Sequence, residues 1–301
     1  MAKECFVERR FNKNWRGLIE NANDIIAEFT AQGFTLTVRQ LYYQMVARDM
    51  IENVVLEYKR VVEMTSAARL AGAIDWDAIE DRTRNLQRLA SWLSPAGVID
   101  SAAHGYREDL WIGQTARVEV WIEKDALLGV IEGVCDEMRV PYFSFRGSNS
   151  QSEQYKAGCR FLRYINRGLT PIVLHLSDHD PKGIDMVRDN QKRLSMFAGR
   201  PIEVRRLALN MPQVEHYNPP PNPAKETDSL YGAYVAEYGA KCWELDALSP
   251  PVIAGLIRGE ITGIIDADAW NTAKAEEDAS RERLATLSER WDEVETFLDE
   301  M

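Results

Sequence analysis

Three acidic residues stand out by type and position. Glu123 follows the strand-like RVEVWI in WIEKDAL, and Asp178 and Asp180 follow the apolar run PIVLHLS in LSDHDPKGID. In an extended segment residues two apart point to the same side, so Asp178 and Asp180 can converge. With Glu123 at a neighbouring strand end, they complete an all-oxygen site. Such a site suits Mg2+, a hard cation that keeps several waters and also takes phosphate oxygens. Without a cation, three clustered carboxylates would repel one another and shift each other's pKa. Gly183, after Pro181, opens the next helix, whose N-terminus can hold an anion. Lys124, His179 and Lys182 offer further phosphate contacts. An Asp-x-Asp pair also occurs in solvated acidic loops; strand context, spacing and helix start together favour the metal reading.

These acids need a scaffold that brings strand ends together. From residue 117 onward the pattern alternates: strands over 117–122, 140–145, 171–177 and 201–209, helices over 125–138, 151–166 and 183–197. That alternation predicts a parallel sheet with right-handed crossovers, and chemistry in such sheets collects at the carboxyl ends of the strands. Upstream, Trp15, Leu18, Ile19, Ala22, Ile25, Ile26 and Phe29 fall on one face of a helix over 14–32 that Gly33 ends. Thr37 caps a second helix over 38–48. A turn around 49–53 leads to a third helix over 54–70, stopped by Gly72. Three helices with a tight connection fit a helix-turn-helix or winged-helix unit, and also an ordinary helical bundle. Residues 73–84 read as a wing or a further helix.

Pro95, Gly97, Gly105 and Gly113 place a domain boundary within 94–114. The expected architecture is α/β, with a helical unit over 1–98, a metal-binding sheet over 99–230, and an acidic helical extension over 231–301 packed on the sheet. In that extension Leu284, Leu287, Trp291, Val294 and Leu298 form a stripe read as an intramolecular docking face.

Composition narrows the class. The chain has 301 residues, 45% hydrophobic and 28% charged, which is ordinary globular usage. No apolar run approaches the ~18 residues of a membrane span. The start, MAKECFVERRF, has no apolar core segment, so no secretory signal is expected. Cys5, Cys135, Cys159 and Cys242 form no CxxC, so a reduced, cytoplasmic protein without a membrane partner is expected. The net charge of -11 is uneven: residues 231–301 carry 6 basic and 16 acidic side chains, while 141–200 carry 10 basic and 5 acidic. The locally basic middle keeps nucleic acid open as a partner despite the overall sign.

Glu123 after one strand, Gly147 after the next and Asp178-x-Asp180 after the third resemble a Toprim domain. DHDPKGIDM with the preceding VEVWIEKDAL is similar to the variant found in topoisomerase VI A subunits and the related meiotic double-strand-break proteins. That resemblance implies an upstream winged helix with a nucleophilic tyrosine. LTVRQLYYQMV at 36–46 resembles the family's Arg-x-x-Tyr-Tyr segment, and Tyr43 matches the nucleophile. Arg39, four residues earlier, lies on the same helix face. Its guanidinium can bind the scissile phosphate and favour phenoxide, help that a phenol of pKa ~10 needs at neutral pH. Without the resemblance, the pair reads as two aromatics on an amphipathic helix, one buried and one at the surface.

The resemblance covers about 34–48 and most of 117–209. It implies Mg2+ held by Glu123, Asp178 and Asp180, and cleavage of double-stranded DNA with a 5′-phosphotyrosyl link. It also implies a homodimer in which the tyrosine of one protomer works with the metal site of the other. Lys59, Arg60, Lys124, Arg146 and Lys182 are the expected DNA contacts. Topoisomerase VI needs a separate ATPase subunit for strand passage. This chain has no GxxxxGK[ST] loop and little N-terminal extension to dock such a partner, so cleavage is expected rather than relaxation. The pattern suits a minimal, nucleoid-associated A-type protein of a phage or mobile element. Two other readings stand beside it: a Toprim nuclease in which the metal activates water, and a non-catalytic DNA-binding protein.

Overall fold

The computed structural model describes residues 3–79, 89–145 and 151–301. The chain begins with three helices, α1 (Lys13–Ala31), α2 (Val38–Ala47) and α3 (Val55–Leu70). Each start has a local cause. The Asn12 carboxamide accepts from the Trp15 N–H at 2.8 Å. Thr37 and Gln40 form a reciprocal capping box at α2. Gly72, at φ 68°, lets the chain leave α3. The apolar faces of the three helices close one core around Leu18, Ile25, Phe29, Leu41, Met45 and Met64. Both Tyr42 and Tyr43 are buried in it, where the sequence reading placed one of the pair at the surface. Among the described residues this unit shows only isolated bridges, Cys5 with Ala71 and Leu36 with Ile79, and no wing hairpin. The remainder of the 73–84 segment lies outside the described residues.

The expected boundary stretch contains a helix, α4 (Pro95–Gly105). Pro95 is its first-turn residue, and the Ser94 hydroxyl accepts from the Gly97 N–H at 3.2 Å. The proline stands at a helix start, a role its fixed φ suits.

An alternating series follows: β1 (Ala116–Ile122), α5 (Leu128–Glu137), β2 (Tyr142–Ser144), α6 (Gln151–Ile165), β3 (Thr170–Leu176), α7 (Pro181–Ala198) and β4 (Glu203–Ala208). The four strands form one parallel sheet in the order β2-β1-β3-β4. Apolar residues on both faces of β1 explain why it is central. Val118, Val120 and Ile122 pack on the face shared with α5, and Trp121 packs on the α6–α7 face with Phe161 and Leu194.

After β4 come α8 (Met211–Tyr217), β5 (Asn222–Pro223), α9 (Tyr231–Tyr238), β6 (Lys241–Cys242), α10 (Pro250–Ile264), α11 (Ala267–Glu289) and α12 (Trp291–Asp299). β5 and β6 pair antiparallel. Trp243, Leu245, Ile253 and Ile257 join the core on the α5 face. α11 lies along α4 and buries Ala273 and Glu277. α12 buries no residue, and the expected docking stripe is split between α11 and α12, with Leu284, Trp291 and Val294 half-buried and Leu287 and Leu298 exposed. Among the described residues no helix is long and apolar enough to cross a membrane.

Candidate functional site

β1 and β3 are neighbours, and their onward connections run to opposite edges of the sheet. The crevice at such a switch point is where open parallel sheets take ligands. Glu123 is the first residue past β1, and Asp178 and Asp180 lie just past β3. All three line a cleft of about 1010 Å3. The facing wall comes from α2 and α3, with Arg39, Tyr42, Tyr43 and Tyr58; a third side comes from residues 242–246. The structure thus gathers Tyr43, Arg39, Lys124 and the three acids in one cavity of one chain.

The acid loop is tightly built. Asp180 caps α7, its Oδ1 accepting from the Gly183 N–H at 2.6 Å. A Cβ on Gly183 would stand 2.1 Å from the Asp178 carbonyl oxygen, so only glycine lets the helix close under the loop. Arg206, on β4, is a staple that the sequence reading missed. Its guanidinium donates to the carbonyls of Asp178 (2.7 Å), Gly183 (2.7 Å) and Leu209 (2.9 Å), and to the Ser177 hydroxyl (2.8 Å). Burial lowers its pKa to about 10 against the pull of Asp180, Glu123 and Asp178. The paired arginines inside the short strand EVRRLA were the signal for it.

Two further residues were not legible as site residues, Glu244 and Asp246. The Lys124 ammonium donates to Asp178 Oδ1 (3.0 Å), Glu244 Oε2 (2.9 Å) and Asp246 Oδ1 (3.0 Å). The Arg39 guanidinium pairs with Glu244 and donates to Asp246 Oδ2 at 2.6 Å, and its Nη2 lies 3.4 Å from the Tyr43 hydroxyl. Lys124 and Arg39 outweigh the burial of Glu244 and hold its carboxyl down at about 2. Asp178 goes the other way. Burial, with repulsion from Glu123 and Asp246, pushes it up to about 7 despite Lys124. Glu123 is also raised, by burial first and by Asp180. Burial and the charges of Asp246 and Glu244 raise the Tyr43 phenol above its ordinary value, and the opposing pull of Arg39 and Lys124 is smaller.

Lys182, Lys59 and Arg60 are not among the residues that line the cleft. Lys182 is exposed in the first turn of α7, where its charge favours ionised Glu123. Lys59 is exposed on α3, and Arg60 pairs with Glu57 at 3.2 Å; neither lines the cleft. Arg146 and Gly147 lie outside the described residues. His179, an expected phosphate contact, is not among the residues that line the cleft. Its ring is buried, its Nδ1 meets the Tyr234 hydroxyl at 2.9 Å, and burial, then Arg206, lowers its pKa to about 4.

Among the described residues no group of three or more His, Cys, Asp or Glu side chains stands ready-made around a metal position. Lys124 is paired with Asp178 Oδ1. The donor chemistry nonetheless fits Mg2+. Glu123 accepts the Asp178 N–H through Oε2, Asp178 uses Oδ1 for Lys124 and the Leu245 N–H, and Asp180 uses Oδ1 for its cap. Each keeps its other oxygen free of a protein partner among the described residues. Two of the three are destabilised as anions, a state that a divalent cation relieves.

No family model and no curated protein matches the chain. The functional reading therefore rests on the site itself.

Proposed function

We propose that this chain is a Mg2+-dependent DNA transesterase of the topoisomerase VI A-subunit kind, with a winged-helix-like helical unit and a Toprim-like sheet. The observation that carries it is the shared cleft: a tyrosine with an arginine one turn before it faces three carboxylates at a sheet switch point. In this reading Glu123, Asp178 and Asp180 hold Mg2+, which neutralises the backbone phosphates of the DNA. The cleft is otherwise too acidic for a polyanion, since Glu123, Asp178, Asp180, Glu244 and Asp246 line it with Arg39 and Lys124. Tyr43 attacks the phosphorus, giving up its proton. The bond to the 3′ oxygen breaks, that oxygen takes up a proton, and the 5′ phosphate stays on Tyr43. Arg39, within reach of the Tyr43 hydroxyl, orients the phosphate and favours phenoxide as a phosphate draws it away from Glu244 and Asp246. Lys124, Lys182 and Arg146 contact the backbone nearby, with Lys59 and Arg60 further out on α3. A duplex substrate is cut by a pair of chains, one strand each. Strand passage would need a separate ATPase.

Purified protein, duplex DNA and Mg2+ test this, stopped with denaturant and assayed for DNA joined to protein. Protein-linked DNA that disappears in Tyr43→Phe and in Asp178→Ala supports the reading. Free ends that survive Tyr43→Phe but not Asp178→Ala would replace it with hydrolysis by metal-activated water. The buried, raised phenol of Tyr43 favours that second reading. Binding without any cut, unchanged by Mg2+, would leave a DNA-binding protein.

A further inference from the structure

α12 carries an apolar face that no described residue covers. Trp291, Val294, Leu298 and Met301 recur at 3,4,3 spacing, with Phe297 beside them. At about 100° per residue, all five fall within roughly a third of the helix circumference. Asp292, Glu293, Glu295, Asp299 and Glu300 fall on the remainder. Trp291 and Val294 are half-buried, whereas Phe297 is 63%, Leu298 56% and Met301 88% exposed. At its base the face runs into a groove of about 510 Å3 that Trp92, Leu93, Pro95, Val98 and Ile99 form with Trp291. Leu93 is fully exposed there, and Trp92 and Val98 are close to half exposed. Outside the described residues the chain has only Met1 and Leu86 as large apolar side chains, too few to cover this patch.

Size, charge and spacing together favour a second copy of the chain as the cover. The exposed side chains of groove and helix present on the order of 800 Å2, about what each partner brings to a stable interface. The acids beside the face repel DNA and anionic lipid alike. The flanks of the face complement each other. In the 3,4 repeat Trp291 and Leu298 take a positions, and Val294 and Met301 take d positions. Arg290 is then a g residue, Glu295 the following e residue, and Asp292, Glu293, Asp299 and Glu300 are b and c residues. Two parallel copies of α12 bring Arg290 of each chain to the partner's Glu295 and turn the b and c acids outward. Within its own chain Arg290 pairs with Glu293, and both are largely exposed, so exchanging that partner costs little. With nine residues α12 is too short to pair alone; the Trp92 and Leu93 shelf at its base supplies the rest. A two-fold axis sets the same patch on both sides.

We propose that this face docks a second copy of the chain, with α12 packed in parallel on α12 of the partner subunit and Trp92 and Leu93 buried at the base of the pair. None of these residues lines the cleft. The contact therefore joins chains whichever protomer completes the cleavage site, and it stands without the transesterase reading.

Light scattering on the whole chain, over a dilution series without DNA, tests it. Leu298→Glu/Met301→Glu puts acids into the seam at two exposed positions, so the fold is kept, and circular dichroism checks that. The double variant is expected to halve the mass of the particle, with a dissociation constant raised more than about 10²-fold. An unchanged mass overturns the inference, whether wild type is a single chain or an assembly held elsewhere. A single-chain wild type leaves the face to a different protein. Flotation with anionic vesicles that the double variant loses would give the face to a membrane and overturn the inference as well. Arg290→Glu and Glu295→Arg should each weaken the assembly about fivefold, and mixing the two variants should restore it. Variants that weaken it and are not rescued by mixing would overturn the parallel pairing.

Discussion

Two buried carboxylates in this molecule, Asp246 and Glu277, look alike by burial and pairing and differ in what surrounds them. Glu277 joins α11 to the segment after α4 and to Arg139. It accepts from the Glu108 N–H (2.8 Å), Arg139 Nη2 (2.9 Å) and Lys274 Nζ (3.3 Å). Burial raises its pKa less than these donors lower it, so it stays a comfortable anion. Asp246 also has two cations, but it shares them with Glu244 and Asp178, beside Glu123 and Asp180. There the acids outnumber their partners and Asp178 rises to about 7. Pairing of a buried acid is thus no sign of a site. A surplus of acids around an open cavity is, because folding gains nothing from it.

The largest effect expected from that difference separates activity from stability. Tyr43→Phe and Asp178→Asn should each cut adduct formation by more than about 10³-fold. Asp178→Asn should leave the thermal midpoint unchanged or higher, because it removes a disfavoured anion while Lys124 keeps Glu244 and Asp246. A clear fall in the midpoint would make Asp178 a structural residue like Glu277. Next, Glu277→Ala should cost about 2–4 kcal/mol in denaturant unfolding, since it strands Arg139 and the Glu108 N–H, with cleavage per folded molecule unchanged. Lost activity in the folded variant would end the contrast.

Mg2+ should stabilise wild type in thermal unfolding, by about 2.7 kcal/mol at a hundredfold excess over its dissociation constant, and Asp178→Asn far less. Equal shifts would place the ion elsewhere. The smallest effect concerns a third buried ionisable group that has neither a pair nor a cavity. His175 lies in β3 against Phe145, its ring centroid 4.9 Å away, and neither ring nitrogen has a partner among the described residues. Burial, then Arg206, lowers its pKa to about 3 from an ordinary 6.5. The unfolded chain therefore binds the proton that the folded chain refuses. Stability is complete above pH 6.5 and falls as the pH drops toward 3, by at most about 1.4 kcal/mol per pH unit. His175→Leu should flatten that slope, measured by unfolding at several pH values; an unchanged slope would assign the loss to other groups.

Local signals carried far in this chain. The Thr37 cap, the Gly72 stop, the four strand positions and the acids at the strand ends all follow from spacing and residue type within a few positions. The failures have explanations too. The alternation of apolar residues could not show that both Tyr42 and Tyr43 are buried, because that depends on α1 and α3 closing over the same face. The burial of His179 against the Tyr234 hydroxyl is likewise not written in a DHD triplet.

By itself the sequence determined the elements of the sheet, the three N-terminal helices and the acids Glu123, Asp178 and Asp180, since periodicity and turn chemistry act over short range. Only the tertiary structure decided that Arg39 meets Glu244 and Asp246 across about two hundred residues, that Lys124 pairs with Asp178, and that the tyrosine and the acids share one cavity. Such meetings depend on how strand order and core packing bring distant segments together, and no local pattern encodes that.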